Sequence, residues 1–587
     1  MKISWHRISW ILVLLVAIVS CIKFIYEPDI WWQIATGEWI IENGTVPKTD
    51  IFSYTYAGEP WINVKWGAEV LMALVDRYLG VELLPLLQIG CLVLILFFIK
   101  KMYFQFVETN MGDTSKKKII GIVIASLLAL FIVNFRLNSR PEMFSHLFSI
   151  LTIFIIVNHK KTNSNLVFLL IPLQIIWTNM HEAYGVGMIV MVIFLISFWV
   201  EYLFFYPKHK VGIYFKPIKY SIASILAILA MAVNPQGFKM IAHPFNILQQ
   251  LSDNKFTEEL ISIGTEGYWQ FQSVLTVIIV IILVLFLFKK TNLSLILRPI
   301  KKIGLGYSIT LAAFLYLSFS SFRNIPFFIF IATPVLGYYF LTHLEKYKNQ
   351  QKLYIGSCIL SIVFYFAITT NFYYEKLLPK QLTEKYGLGI DVTQNPIGAA
   401  NFVKENNILG KSFVDYLSSS YFIYDVPNFK SYIDLRDLDV FPTNFFNNVF
   451  FIYQAPTVVQ ANGKTPWQFA DGVDTFNYVV LLNNPSFMNL NLHLLHQNND
   501  FELVYGDMLN SVFIRKTEQN KEIIEKYGYS NSKFIFQNDA EVPPNNLANL
   551  ISKIFNPFYN SKPRKPKDYG KKKQGFYNYL RIQPNNN

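Results

Sequence analysis

The sequence predicts an α-helical polytopic membrane protein of about 11 transmembrane helices, with a small C-terminal α/β domain outside the bilayer. Three observations carry this. Of 587 residues, 52% are hydrophobic and only 16% charged, where a soluble globular chain carries about 25%. The apolar residues gather into runs near the roughly 17–25 residues that cross a bilayer. The cations then follow every second run. The composition also excludes a disordered chain, a fibrous repeat and a small disulfide scaffold.

The runs fall near 8–26, 82–99, 119–135, 142–158, 166–179, 185–205, 219–233, 273–288, 303–320, 325–342 and 353–371. The fifth and seventh are short enough to be broken or re-entrant helices. Cys21, Cys91 and Cys358 all lie inside or at the edge of runs, which reads as small buried side chains and not as a disulfide or thiolate metal site. Ile18-Val19-Ser20-Cys21 also has the form of a lipoprotein cleavage site. The same run serves equally as a first span, and with ten runs after it the span is the preferred reading.

Lys100, Lys101 and Lys116–Lys118 follow the second run, and Lys160 and Lys161 the fourth. Lys208, Lys210, Lys216 and Lys219 follow the sixth, Lys289, Lys290, Arg298, Lys301 and Lys302 the eighth, and Lys346, Lys348 and Lys352 the tenth. Cytoplasmic loops carry the excess of Lys and Arg. The net charge of +13 is therefore one of sidedness: the N-terminus is expected in the cytoplasm and the C-terminal domain outside. Nucleic acid is not expected as a partner there.

Five polar clusters then share the external side. They are Glu27-Pro28-Asp29 with Ile30-Trp31-Trp32-Gln33, Arg136 to Glu142, Trp177-Thr178-Asn179-Met180-His181-Glu182, Asn234-Pro235-Gln236-Gly237, and Ser321-Phe322-Arg323-Asn324. Pro and Asn at helix ends have an ordinary capping use, which accounts for the fourth cluster as well as any function does. Asp29, Arg140, His181, Glu182 and Arg323 are different, because charge at a span end is costly and often functional. Carboxylates, one His and several Arg at one membrane face suit an anionic lipid headgroup, or acid–base chemistry on it.

The first external loop, 27–80, holds Trp31, Trp32, Trp39, Trp61 and Trp66, five of the chain's eleven Trp. Residues 30–42 are expected to form an amphipathic helix in the membrane interface, with Trp31, Ile34 and Ile41 toward lipid. A second helix is expected over 64–79. Interfacial Trp belts explain such rings, and so does stacking on the faces of a sugar.

Asp29-Ile30-Trp31-Trp32-Gln33-Ile34-Ala35-Thr36-Gly37 and Val46-Pro47-Lys48-Thr49-Asp50-Ile51-Phe52-Ser53-Tyr54 resemble the first external loop of bacterial GT-C-like polytopic membrane glycosyltransferases, relatives of protein mannosyltransferases and aminoarabinose transferases. Ser139-Arg140-Pro141, Trp177 to His181 and Arg323-Asn324-Ile325-Pro326 resemble further blocks of the group, over roughly residues 1–345. The resemblance implies transfer of a sugar from a polyprenyl-phosphate-linked donor to a glycan, lipid or protein acceptor at the external face of a bacterial inner membrane. It puts Asp29 in the place of the family's acidic base. A carboxylate suits that role, since a hydroxyl needs its proton taken as the anomeric bond breaks.

Arg140, Arg323, His181 and Lys65 are the expected contacts of the departing phosphate, with Arg136 a weaker candidate. Trp31, Trp32, Gln33, Glu69, Asn179, Glu182 and Asn324 are candidates for acceptor or sugar contact. Two places depart from the family pattern: Val64-Lys65-Trp66 stands where an acidic or histidine pair is usual, and Glu182 where a Gly is usual. Glu69, one helical turn after Lys65, has an ion pair with Lys65 as its plain use. The departure at Lys65 keeps a second function open, a non-catalytic envelope-assembly scaffold or lipid-linked glycan carrier with the same fold.

The expected domains are 1–373, a GT-C-like transmembrane domain carrying loop 27–80; 374–516, an extracytoplasmic α/β domain; and 517–587, polar helices and a basic, disordered tail. Within 374–516, Ile397–Lys404 and Asn489–Gln497 read as helices. Ser412–Val414, Ser431–Ile433, Tyr478–Leu482 and Ser511–Ile514 read as strands. Asp434-Leu435-Arg436-Asp437 reads equally as a surface turn or as a ligand site at a strand end. Lys562 to Lys567 and Lys571 to Lys573 read as a solvated run, with anionic lipid as its functional option. Metal-ligand spacing and Gly-rich phosphate loops are not found. No cofactor is expected, a divalent cation being left open.

Overall fold

The computed structural model describes residues 4–111, 118–205, 217–253, 261–287, 303–347, 349–372, 386–436, 439–538, 542, 544–559 and 569–582. The chain forms two compact units. One comprises Met1–Lys23, Leu84–Leu388 and Ile554–Pro557, and the other Phe24–Leu83, Gly389–Lys553 and Phe558–Asn587.

The first unit is helical. Among the described residues, five helices are long and apolar enough to cross a membrane: Val81–Glu108, Glu142–Thr162, Tyr184–Phe204, Phe322–Leu344 and Gln350–Thr369. Six shorter apolar helices, Trp5–Cys21, Ile120–Arg136, Asn165–Thr178, Pro217–Ala232, Phe271–Leu285 and Leu305–Ser320, fall on the other six apolar runs. Close packing here needs small residues, because lipid offers no hydrophobic drive between helices. A Cβ built on Gly121 would lie 2.2 Å from the Gly337 carbonyl oxygen, so the helices Ile120–Val133 and Ile325–Leu344 approach at backbone distance.

Some of the lysines counted for sidedness are paired: Lys118 with Glu345, Lys160 with Glu201 at 2.5 Å, and Lys161 with Glu108 at 2.7 Å. Glu201 also accepts from the Leu305 amide at 2.9 Å, filling a donor left open at the start of the helix Leu305–Ser320. Lys116, Lys117, Lys208, Lys210, Lys216, Lys289, Lys290, Arg298, Lys301, Lys302 and Lys348 lie outside the described residues.

The second unit is built on a four-stranded sheet of order β1-β2-β4-β3. The strands are β1 Ser412–Val414, β2 Tyr478–Leu482, β3 Phe501–Gly506 and β4 Asn510–Arg515. β1 runs parallel to β2, and β4 is antiparallel to both β2 and β3. The parallel pair is crossed over by helices, including Ser419–Asp425, Thr443–Gln454 and Pro466–Asp474. Phe413 anchors the core, its ring 5.1–5.8 Å from those of Tyr432, Tyr453, Trp467 and Phe476.

Three details differ from the sequence reading. Ser431–Ile433 is not a strand; Ser431 makes one isolated parallel bridge to Ser53. β3 was not expected. The sequence partition also keeps loop 27–80 with the apolar helices, whereas by contacts residues 24–83 group with 389–553. Ile25 is held by Gly389 (N–H to O 2.8 Å) and the Trp31 indole donates to Asn395 Oδ1 at 2.6 Å. Beyond 517, Tyr569–Leu580 is a helix with Phe576, Tyr577 and Leu580 buried; it carries Lys571–Lys573, while Lys562–Lys567 lies outside the described residues.

Candidate functional site

The candidate residues fall into two clusters, one in each unit. In the second unit, Asp29 opens the helix Asp29–Asn43, where a carboxylate is favoured by the positive end of the helix dipole. The first turn is tied down by Ser420, whose hydroxyl donates to Pro28 O at 2.5 Å and accepts from the Trp32 amide at 3.2 Å. The Trp32 indole points its N–H at Asp29 Oδ1, 3.4 Å away. Trp32 is itself buried, edge-on to Trp61 at 6.2 Å, with the Lys65 ammonium 5.5 Å from its ring centroid, a cation–π distance.

Trp31 and Ile34 are fully buried, which corrects their expected place facing lipid. Trp31 packs on Tyr421 and Tyr424 with centroids at 4.8 and 5.0 Å. Those partners come almost four hundred residues later, so a helix-period reading of 30–42 alone assigns the apolar face to the wrong surroundings.

Glu69 lies on the helix Trp66–Leu79 and is fully buried. Its Oε2 accepts from Asn63 Nδ2 at 2.5 Å, and among the described residues its Oε1 accepts nothing. The Lys65 ammonium, which lies over the Trp32 ring, is near enough to act on this carboxyl through its charge. Burial pushes the Glu69 carboxyl up to about 8, against the lowering by the Asn63 hydrogen bond and the nearby Lys65 and Arg436; Asp439 adds to the rise. Gln33 is also buried, and among the described residues its Oε1 has no hydrogen-bond donor.

The Asp434-Leu435-Arg436 turn is not a surface feature. Arg436 is fully buried between Asp50 and Asp434, with its guanidinium 5.0 Å from the Trp61 ring and 5.2 Å from Phe52. Asp437 lies outside the described residues.

In the helical unit, Arg136 donates to Glu142 Oε2 from Nε at 2.9 Å and from Nη2 at 2.6 Å, with both side chains buried. His146 Nε2 is 3.9 Å from the other Glu142 oxygen. Arg323 adds positive charge to the surroundings of Glu142, and His181 lies nearby; Arg323 lies 3.9 Å from Glu182. Arg140 is half-buried on the turn before Glu142. His181 Nδ1 is 2.9 Å from Ser145 Oγ.

Asn179 and Asn324 have local duties. Asn179 donates to Ile175 O and Val233 O and accepts from Asn234, and Asn324 donates to Leu317 O. The structure thus brings His181, Glu182 and Arg323 together with Arg136 and Glu142. Sequence reasoning ranked Arg136 low and passed over Ser145 and His146. The available signal was the helical spacing of Glu142, Ser145 and His146, at i, i+3 and i+4.

Among the described residues, no group of three or more His, Cys, Asp or Glu is placed to hold a metal ion. No family model matches the chain, and no curated protein matches it. Among solved structures, the apo oligosaccharyltransferase of Archaeoglobus fulgidus is similar at 11% identity and a TM-score of 0.46, over 88% of this chain and 75% of that one.

Proposed function

We propose that this chain is an integral membrane glycosyltransferase that moves a sugar from a polyprenyl-phosphate-linked donor to an acceptor at the external face of a bacterial inner membrane. The observation that carries the reading is the grouping of His181, Arg323 and Arg136 with Glu142 and Glu182 at the ends of apolar helices. Cations and a histidine there suit a lipid phosphate, and burial strengthens each such contact. The eleven helices on the apolar runs serve as spans, with the N-terminus cytoplasmic and the soluble unit external.

In this reading Asp29 takes the proton of the acceptor hydroxyl. The acceptor oxygen bonds to C1 of the sugar while the C1–phosphate oxygen bond breaks, and the prenyl phosphate departs with the electron pair. A single displacement inverts the anomeric centre. Arg140, Arg323 and His181 of the helical unit are the proposed contacts of the leaving phosphate, and in the other unit Lys65 lies over the Trp32 ring. Of the remaining candidates, Trp32 points its indole N–H at Asp29, Gln33 follows on the same helix and Glu69 stands on the next one, and Glu182 lies 3.9 Å from Arg323.

The test is native mass spectrometry of lipids retained by the purified protein, beside an Arg140→Ala, Arg323→Ala double variant. A bound prenyl phosphate or its glycosylated form, lost in the variant, is the expected result. The sugar mass then defines the substrate on which Asp29→Asn should abolish transfer. Bulk phospholipid alone, unchanged by the substitutions, would overturn the donor site and favour an envelope-assembly scaffold or a glycan carrier.

A further inference from the structure

His181 belongs to a hydrogen-bond chain with Ser145 and Trp177. The Trp177 indole donates from Nε1 to Ser145 Oγ at 2.7 Å. An indole N–H is a donor only, so Ser145 accepts this bond. Ser145 Oγ is also 2.9 Å from His181 Nδ1, and among the described residues its hydroxyl has no other partner. The hydroxyl proton therefore points at His181, and Nδ1 accepts it. The Ala183 amide donates to the same nitrogen at 3.2 Å. Two donors converge on Nδ1, and a proton on that nitrogen would oppose both.

We propose that Trp177, Ser145 and the Ala183 amide fix His181 in the tautomer with its proton on Nε2, so that the ring meets a phosphate oxygen as a neutral hydrogen-bond donor. Ser145 and Trp177 are then positioning residues. All three side chains are buried, which makes each bond of the chain costly to leave unmade. The histidine thus differs in kind from Arg140 and Arg323: it adds direction to the site, and they add charge. The phosphate half of the proposal rests on the function proposed above; the tautomer half does not.

The experiment is nitrogen NMR of the full-length protein labelled with 15N-histidine, in nanodiscs. The His181 signals are assigned as those missing from His181→Gln. Nδ1 should appear as an unprotonated, pyridine-like nitrogen and Nε2 as a protonated, pyrrole-like one. Ser145→Ala should admit the other tautomer. A pyrrole-like Nδ1 in the wild type would overturn the tautomer, with no variant needed to fold.

Binding of farnesyl phosphate then tests the donor role. His181→Ala should weaken it roughly tenfold or more, and His181→Gln, which keeps a neutral donor, distinctly less. Equal losses in the two variants would overturn the donor role. If Arg140→Ala with Arg323→Ala leaves binding intact, the failure belongs to the proposed function, and the tautomer result stands apart from it.

Discussion

Arg436 Nη1 donates to Asp50 Oδ1 at 2.5 Å across 386 positions of sequence. Its Nε and Nη2 hold the two oxygens of Asp434 at 2.8 and 2.7 Å, and neither Arg436 nor its partners' side chains are exposed. Within the second unit this one guanidinium joins the 24–83 segment to the 389–553 segment. Asp50 is further committed to the Phe52 amide and the Ser53 hydroxyl, so the sharp turn at 50–53 is organised around the same carboxylate.

Breaking that junction should be costly. Asp50→Asn removes one charge of a buried, hydrogen-bonded set, for which the expected loss is about 3–5 kcal/mol. Arg436→Lys should cost a comparable amount, because an ammonium cannot reproduce the fork that binds two carboxylates. Thermal unfolding of the purified protein checks both. A shift of a degree or less in either variant would show that the junction does not hold the unit together.

Glu69 predicts a pH dependence of stability. Its folded-state value, near 8, lies above the ordinary carboxyl value of 4.5. Below the ordinary value both states are protonated and nothing is lost. Between 4.5 and about 8 the unfolded chain has released a proton that the folded chain keeps, so stability falls as pH rises, by up to about 1.4 kcal/mol per unit. Denaturant unfolding from pH 5 to 8 should show this decline in the wild type and a flatter profile in Glu69→Gln. Parallel profiles would mean that Glu69 is ionised throughout.

The apolar runs were legible because bilayer length and loop charge are local properties. All eleven coincide with helices, and Tyr478–Leu482 and Ser412–Val414 stand as strands for the same local reason. What sequence reading missed depends on distant partners. Trp31 of the helix Asp29–Asn43 is covered by Tyr421 and Tyr424, and Asp434–Arg436 is held by Asp50. β3 follows Asn-Asn-Asp and opens Phe-Glu-Leu-Val, a short stretch whose buried Glu502 hides the usual alternation. The candidate residues at helix ends were legible one by one; the Ser145–His181 contact depends on how the turn after Leu170–Thr178 packs on the helix Glu142–Thr162.

Gly121 should tolerate no side chain. Its hypothetical Cβ meets Gly337 O at 2.2 Å and Leu341 N at 2.9 Å, both backbone atoms that cannot rotate away. Gly121→Ala should cost about 1–3 kcal/mol, the range for overpacking. Gly356→Ala is the control, since nothing lies within 4 Å of its Cβ position and Ala favours a helix. Equal melting temperatures for the two variants in detergent would remove the argument for backbone contact at Gly121.

Arg136 and Glu142 form a pair whose geometry separates structure from ligand binding. The guanidinium offers two nitrogens to a single oxygen, Glu142 Oε2, so the charge of Arg136 is largely spent within the protein. Removing either partner alone breaks a buried, hydrogen-bonded ion pair and should cost about 3–5 kcal/mol. Removing both, as Arg136→Met with Glu142→Leu, replaces the pair by apolar volume. That double variant should recover at least about 1.5 kcal/mol of the summed single losses. If Arg136 serves the fold and Arg140 and Arg323 serve the phosphate, the double variant should still bind farnesyl phosphate, while Arg140→Ala with Arg323→Ala should not. Loss of binding in a folded Arg136→Met, Glu142→Leu protein would move Arg136 into the phosphate site, and additive single losses would show that the two side chains act independently.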